Sequence, residues 1–121
     1  MNNIILFSKD HLWILKEDTS VKIGLSDYAQ KSMKSVLFIN LPDEGDALSV
    51  GEAFGDVESI KKVSELISPI NGTVTAVNEE LTDEPERINE SPYDCWLIEA
   101  AADSFSDGLM DESAYLKYIG Q

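Results

Sequence analysis

The chain has 121 residues, 43% of them hydrophobic, which fits one compact domain spanning 1–121 with enough apolar material for a single core. Its 23 acidic residues against 9 basic ones give a formal net charge of −14. That sign argues against nucleic acid and anionic membrane surfaces as partners, since both are bound through Lys and Arg. His11 and Cys95, the only residues of their types, leave no disulfide within the chain and no metal site built from His and Cys.

The first ten residues, MNNIILFSKD, hold a short apolar run with no basic flank and no small-residue cleavage site, so they do not read as a signal peptide. No apolar stretch approaches the roughly 20 residues of a spanning helix. Residues 11–16 read as a strand, 17–20 as a polar turn and 21–24 as a second strand, making a hairpin. Ser26 or Asp27 caps a short helix that runs through about Lys34. Residues 36–41 form an apolar, β-branched strand closed by Pro42, Asp43, Glu44 and Gly45. Residues 47–59 hold two short extended segments punctuated by Gly51 and Gly55. Asn71-Gly72 is a tight-turn dipeptide, followed by a strand over 73–77. The acidic stretch 79–92, broken by Pro85 and Pro92, reads as a loop with a helical turn. Residues 96–98 form a late strand, and a C-terminal helix occupies 111–118, with Asp111 as cap and Glu112 in its first turn. Trp13 and Trp96 read as core residues, Cys95 as a small buried apolar group and His11 as structural. Many short strands parted by Gly, Pro and Asn turns predict a mainly β sandwich or barrel with helical additions.

The chain has no Walker loop and no GxGxxG, HExxH, CxxC or GxSxG pattern. The run Asp83-Glu84-Pro85-Glu86 lacks the ligand spacing and turn glycine of a calcium loop. No catalytic or metal-ligating residue emerges. One segment has a chemical use: Lys61 and Lys62 stand between extended stretches, at or near a hairpin tip, where a long side chain projects into solvent. Spacing alone leaves two readings open, ordinary solubilising lysines and the attachment point of a swinging-arm cofactor.

Several strings in order narrow that choice. They are Phe7-Ser8-Lys9-Asp10-His11-Leu12-Trp13, then residues 21–30 (VKIGLSDYAQ) and 36–46 (VLFINLPDEGD), then Glu58-Ser59-Ile60-Lys61. Ser68-Pro69-Ile70-Asn71-Gly72, residues 77–81 (VNEEL), Glu84-Pro85 and Asn89-Glu90-Ser91-Pro92-Tyr93 follow. Together they resemble the H proteins of the glycine cleavage system over about residues 7–119. The resemblance implies a hammerhead-like β barrel-sandwich of the lipoyl-domain type, with short helices at the edges and a C-terminal helix. It implies a cytoplasmic carrier that is not itself an enzyme. Lipoate would be held in amide linkage on Lys61, not Lys62, within an attachment motif that includes Glu58 and Ser59. The arm would accept an aminomethyl group from the pyridoxal-phosphate-dependent glycine decarboxylase and present it to the folate-dependent aminomethyltransferase. Dihydrolipoamide dehydrogenase would then reoxidise it, and a lipoate ligase or lipoyltransferase would install it.

The sequence also departs from that family. Leu12 stands where the family usually has a glutamate, which would face the loaded arm in its resting pocket. The segment Pro92-Tyr93-Asp94-Cys95-Trp96 is shortened and lacks a glycine, and Ser32 stands where some members have a histidine. Two alternatives stay open: an H-like protein that relays lipoate to 2-oxoacid dehydrogenases or serves another redox pathway, and an unmodified interaction module.

Overall fold

A computed structural model describes residues 4–120. The strands are β1 (Ile4–Phe7), β2 (Leu12–Glu17), β3 (Ser20–Leu25), β4 (Val36–Asn40), β5 (Ala47–Leu48), β6 (Ala53–Ser59), β7 (Val63–Ile67), β8 (Ile70–Val77) and β9 (Trp96–Phe105). The helices are α1 (Asp27–Met33), α2 (Glu80–Asp83), α3 (Arg87–Glu90) and α4 (Glu112–Tyr118). The strands form a six-stranded sheet, in the order β1-β2-β3-β9-β8-β5, and a three-stranded sheet, β4-β6-β7. Every pairing is antiparallel. The architecture is the expected mainly β one, made of two facing sheets.

The main core joins the sheets. Leu12, Ile14, Val21, Ile23, Val74, Leu97 and Ile98 from one sheet meet Val36, Ile39, Val57 and Leu66 from the other. The period of two along β2 makes this possible. Leu12 and Ile14 enter the main core, while Trp13 points the other way into a second cluster with Phe7 and Tyr115. Phe7 and Tyr115 stack at 4.5 Å between ring centroids, so α4 covers that side of β1 and β2. The Trp13 ring lies flat against Gly24, its register partner on β3, and any Cβ at that position would collide with it.

Ser26, not Asp27, caps α1: its Oγ accepts from the Ala29 N–H at 3.2 Å. Asp27 sits in the first turn, where the Lys31 ammonium at 2.9 Å, together with Gln30, holds its carboxyl below the usual range. Asn89 ties α3 to the start of β4, accepting from the Val36 N–H and donating to the Lys34 carbonyl and to Gln30.

Four segments differ from the sequence expectation. Residues 4–7 form β1, an edge strand defined by its pairing with β2. Asn71 and Gly72 lie inside β8, not in a tight turn, at a register shift against β9. Gly72 is needed there for close approach, since a Cβ would overlap the Ala101 carbonyl oxygen. The stretch 79–92 holds two short helices, each burying one apolar residue, Leu81 and Ile88. The late strand runs on to Phe105, well beyond Ile98. Cys95 is buried as expected; its thiol donates to the Arg87 carbonyl at 3.4 Å, and burial pushes its pKa up. Trp13 is buried and Trp96 partly buried against the second cluster.

Candidate functional site

The β6–β7 connection is a four-residue turn, Ser59-Ile60-Lys61-Lys62, organised by one hydroxyl. The Ser59 N–H donates to the Lys62 carbonyl at 2.8 Å, closing the hairpin. The Ser59 Oγ donates to the same carbonyl at 3.0 Å and accepts from the Lys61 and Lys62 N–H groups at 3.3 and 3.1 Å. Ser59 is itself buried, so these bonds are shielded from competing water. The Ile60 N–H donates to the Ser35 carbonyl at 2.9 Å, fastening the turn to the approach of β4.

The two lysines then diverge. Lys61 is exposed, and its ammonium has no hydrogen-bond or ion-pair partner among the described residues. The Lys62 ammonium reaches back to α1 and donates to Ser32 Oγ at 3.3 Å. Glu58 lies on the outer face of β6, between Phe38 of β4 and Val63 of β7 in register. The three residues of the expected attachment motif are thus within one turn and its first strand: Glu58 outward, Ser59 inward and Lys61 at the tip.

Beside this turn is a cleft of about 260 Å³ between α1, the 8–12 loop and β7. Its apolar lining comes from Leu25, Ala29, Met33 and Leu66; Asp10, Glu65 and Lys62 bring charge, and Ser32 and His11 bring further polar groups. Ser32 therefore lies close to the expected site. Leu12 does not line the cleft. It is only 1% exposed and sits in the main core, opposite the cleft-lining Leu25 on β3. Asp10 and Glu65 are the acidic residues of the cleft lining.

His11 has the positive φ of 69° and closes the 8–12 loop, its N–H donating to the Ser8 carbonyl. Its Nδ1 lies 2.9 Å from the Tyr115 hydroxyl, which lies 2.8 Å from Ser26 Oγ. Burial lowers the His11 pKa from its ordinary 6.5; the nearby Asp10 carboxylate opposes this and the Lys62 ammonium reinforces it. Burial also raises the Tyr115 hydroxyl, with the Ser26 bond opposing. The cluster joins three distant segments and braces the cleft wall, which agrees with a structural His11. Sequence reasoning missed Tyr115 and the cleft residues Asp10, Tyr28, Met33 and Glu65. They are brought together by tertiary packing and share no local pattern.

A larger hollow of about 610 Å³ opens at the other end of β4, beside α2. It is lined by Asp43, Glu44, Glu79 and Asp83 with no basic residue. Among the described residues no group of His, Cys, Asp and Glu is placed to hold a metal ion, and no helix is long and apolar enough to cross a membrane.

Two antiparallel sheets with edge helices and a lysine-tipped hairpin belong to the mainly β carrier folds. The match extends to sequence. A family model described as Glycine cleavage H-protein covers residues 5–121. The glycine cleavage system H protein of Anoxybacillus flavithermus is 45% identical over 118 residues, covering 95% of this chain and 93% of that one. Its counterpart from Lachnoclostridium phytofermentans is 39% identical over 116 residues, covering 95% and 91%. The crystal structure of a glycine cleavage system H protein from Mycobacterium marinum matches with a TM-score of 0.93 at 30% identity, over 100% of both chains. This chain belongs to the glycine cleavage H-protein family.

Proposed function

We propose that Lys61 is the residue through which this chain acts as a lipoyl carrier of the glycine cleavage system. Family membership gives the carrier role. The observation that supports Lys61 is the contrast at the turn: its ammonium is exposed and unengaged among the described residues, while Lys62 is held by Ser32. Attachment requires the Lys61 Nζ to lose a proton and attack the activated carboxyl of lipoate. An amide forms, the activating group leaves and a second proton is released. Ser59 holds the backbone so that the amine is presented at the tip.

When attached, lipoate supplies a redox-active disulfide on a long arm; the chemistry on its cargo belongs to partner enzymes. This chain's part is position. Tethering at Lys61 raises the effective concentration of the arm at each partner. The cleft offers the arm an apolar resting place through Leu25, Met33 and Leu66, with Asp10 and Glu65 available to a cationic end. The partners in this reading are the glycine decarboxylase, the aminomethyltransferase, dihydrolipoamide dehydrogenase and a lipoate-attaching enzyme, in a cytoplasmic setting. The chain itself carries no active site in this reading.

Intact-mass measurement after incubation with a lipoate ligase, lipoate and ATP tests the residue. One lipoyl increment is expected, and none in Lys61→Arg. An increment that survives in Lys61→Arg but vanishes in Lys62→Arg would move the site by one residue.

A further inference from the structure

A further hollow, of about 180 Å³, lies between α1 and α4 and shares only Tyr28 with the cleft beside Lys61. Four aromatic rings line it: Phe7, Tyr28, Tyr93 and Tyr115. Their orientations are set by contacts with one another and with the framework. Phe7 and Tyr115 are stacked and buried. Tyr28 packs on the His11 ring at 4.9 Å. The Asp27 N–H donates to the Tyr93 hydroxyl at 3.2 Å. Tyr93 stands at 86° to Phe7, with ring centroids 6.4 Å apart, so the rings of the lining lie in two directions. Tyr28 and Tyr93 are partly exposed, which leaves the mouth open to solvent. Three charged residues complete the lining: Asp27, Lys31 and Glu112. The Lys31 ammonium is paired with Asp27 at 2.9 Å, and Asp27 also accepts from Gln30. Glu112 has no ion pair among the described residues, so it carries the surplus negative charge.

We propose that this pocket is a binding site for a guanidinium group, carried on an arginine side chain or on free arginine. The inference does not depend on the Lys61 reading. Size comes first: a cavity of about 150 Å³ holds one benzene-sized guest, so this one takes a single compact head group. Charge comes next. Aromatic faces are negative and attract cations. A neutral apolar guest would cover the unpaired Glu112 carboxylate without compensating it, which costs free energy; a cation compensates it. The net charge of −14 raises the local concentration of cations around the chain. Shape decides between the two common organic cations. Guanidinium is planar, weakly hydrated and stacks on rings, whereas an ammonium is a compact, strongly hydrated point charge. Tyr28 and Tyr93 supply rings at the mouth for the planar group, and Glu112 accepts its N–H groups.

The test is a titration of the full chain at low salt, followed by backbone amide NMR shifts. The probe is N-acetyl-arginine amide, and N-acetyl-citrulline amide is its neutral isostere. The arginine probe should give saturable, low-millimolar shifts centred on α1, Tyr93 and α4, and the citrulline probe none. Glu112→Gln and Tyr28→Leu should each weaken binding about fivefold. Both positions are on the surface, so neither change threatens the fold. Tyr28→Phe, which keeps the ring, should stay within about twofold of the unaltered protein. Glu44→Gln removes an exposed carboxylate far from this lining and should leave the Kd unchanged. Free arginine separates the two sources: tighter binding than the capped probe assigns the pocket to the free amino acid, and weaker or equal binding to a side chain on a partner protein. The absence of saturable shifts overturns the proposal, as do equal shifts with the citrulline probe. So does a Glu44→Gln effect as large as that of Glu112→Gln, which would mean diffuse attraction to an acidic surface. Equal affinity for N-acetyl-lysine amide, or an unchanged Kd in Tyr28→Leu, overturns the guanidinium assignment.

Discussion

The two sheets meet their surroundings differently. On the six-stranded sheet, Phe7 and Trp13 project away from the main core and are roofed by Tyr115 of α4. On the three-stranded sheet, Phe38 and Val63 project away from the same core and are left open. Both faces carry aromatic and aliphatic side chains, so hydrophobicity does not separate them. Coverage does. The roofed face contributes to stability, and the open one contributes little to it, which leaves it available for contacts with other molecules.

Truncating an aromatic on each face separates them most sharply. Tyr115→Ala should cost about 3–5 kcal/mol in chemical denaturation, since it opens a cavity beneath α4 and unpairs His11 and Ser26. Phe38→Ser should change stability by less than about 0.5 kcal/mol. Comparable losses at the two positions would remove the distinction.

The difference between the faces was only partly legible in the sequence. Periodicity located most strands, because alternation along β2 and the β-branched run of β4 are local properties. The roof was not visible: α4 was expected, but nothing local connects Tyr115 with Phe7. The Asn71-Gly72 dipeptide misled for the opposite reason. Its turn preference is local, and pairing with β9 overrides it, using the missing Cβ for close approach. The alanines and acids after Ile98 hid the rest of β9 because the strand there is set by its neighbours. At the site, family resemblance singled out Lys61 and the geometry now gives Ser59 a physical role. At the Leu12 position the expectation concerned the glutamate usual in the family; the leucine itself is buried in the core, in register with the cleft-lining Leu25.

A smaller effect concerns the turn beside the open face. Ser59→Ala removes one hydroxyl that makes three hydrogen bonds and should cost about 1–2 kcal/mol. It should also blur the choice between lysines, so peptide mapping after lipoylation should find a minor fraction on Lys62. A clean Lys61 product would mean that the backbone bonds alone fix the turn.

The smallest effect lies at the brace between the roof and the cleft. The folded state lowers the His11 pKa below 6.5, chiefly by burial, so it resists a proton that the unfolded chain accepts. The His11 contribution is therefore fully present above 6.5 and lost as pH falls through the window beneath it. Asp10, Lys62 and Tyr115 are the ionisable groups that bear on it. Melting temperatures between about pH 7.5 and about pH 5.5 should fall more steeply for the unaltered protein than for His11→Asn. Parallel curves would exclude His11 as a contributor.

The bond from the Ile60 N–H to the Ser35 carbonyl has a mechanical consequence. It ties the hairpin tip to the approach of β4, which restrains the polypeptide against acting as the hinge. Movement of a tethered group would begin at the side-chain torsions of Lys61, above a rigid mount. The carrier would then resemble a crane with a fixed mast, its working radius set by the length of the jib and its bearing by the face on which the mast stands.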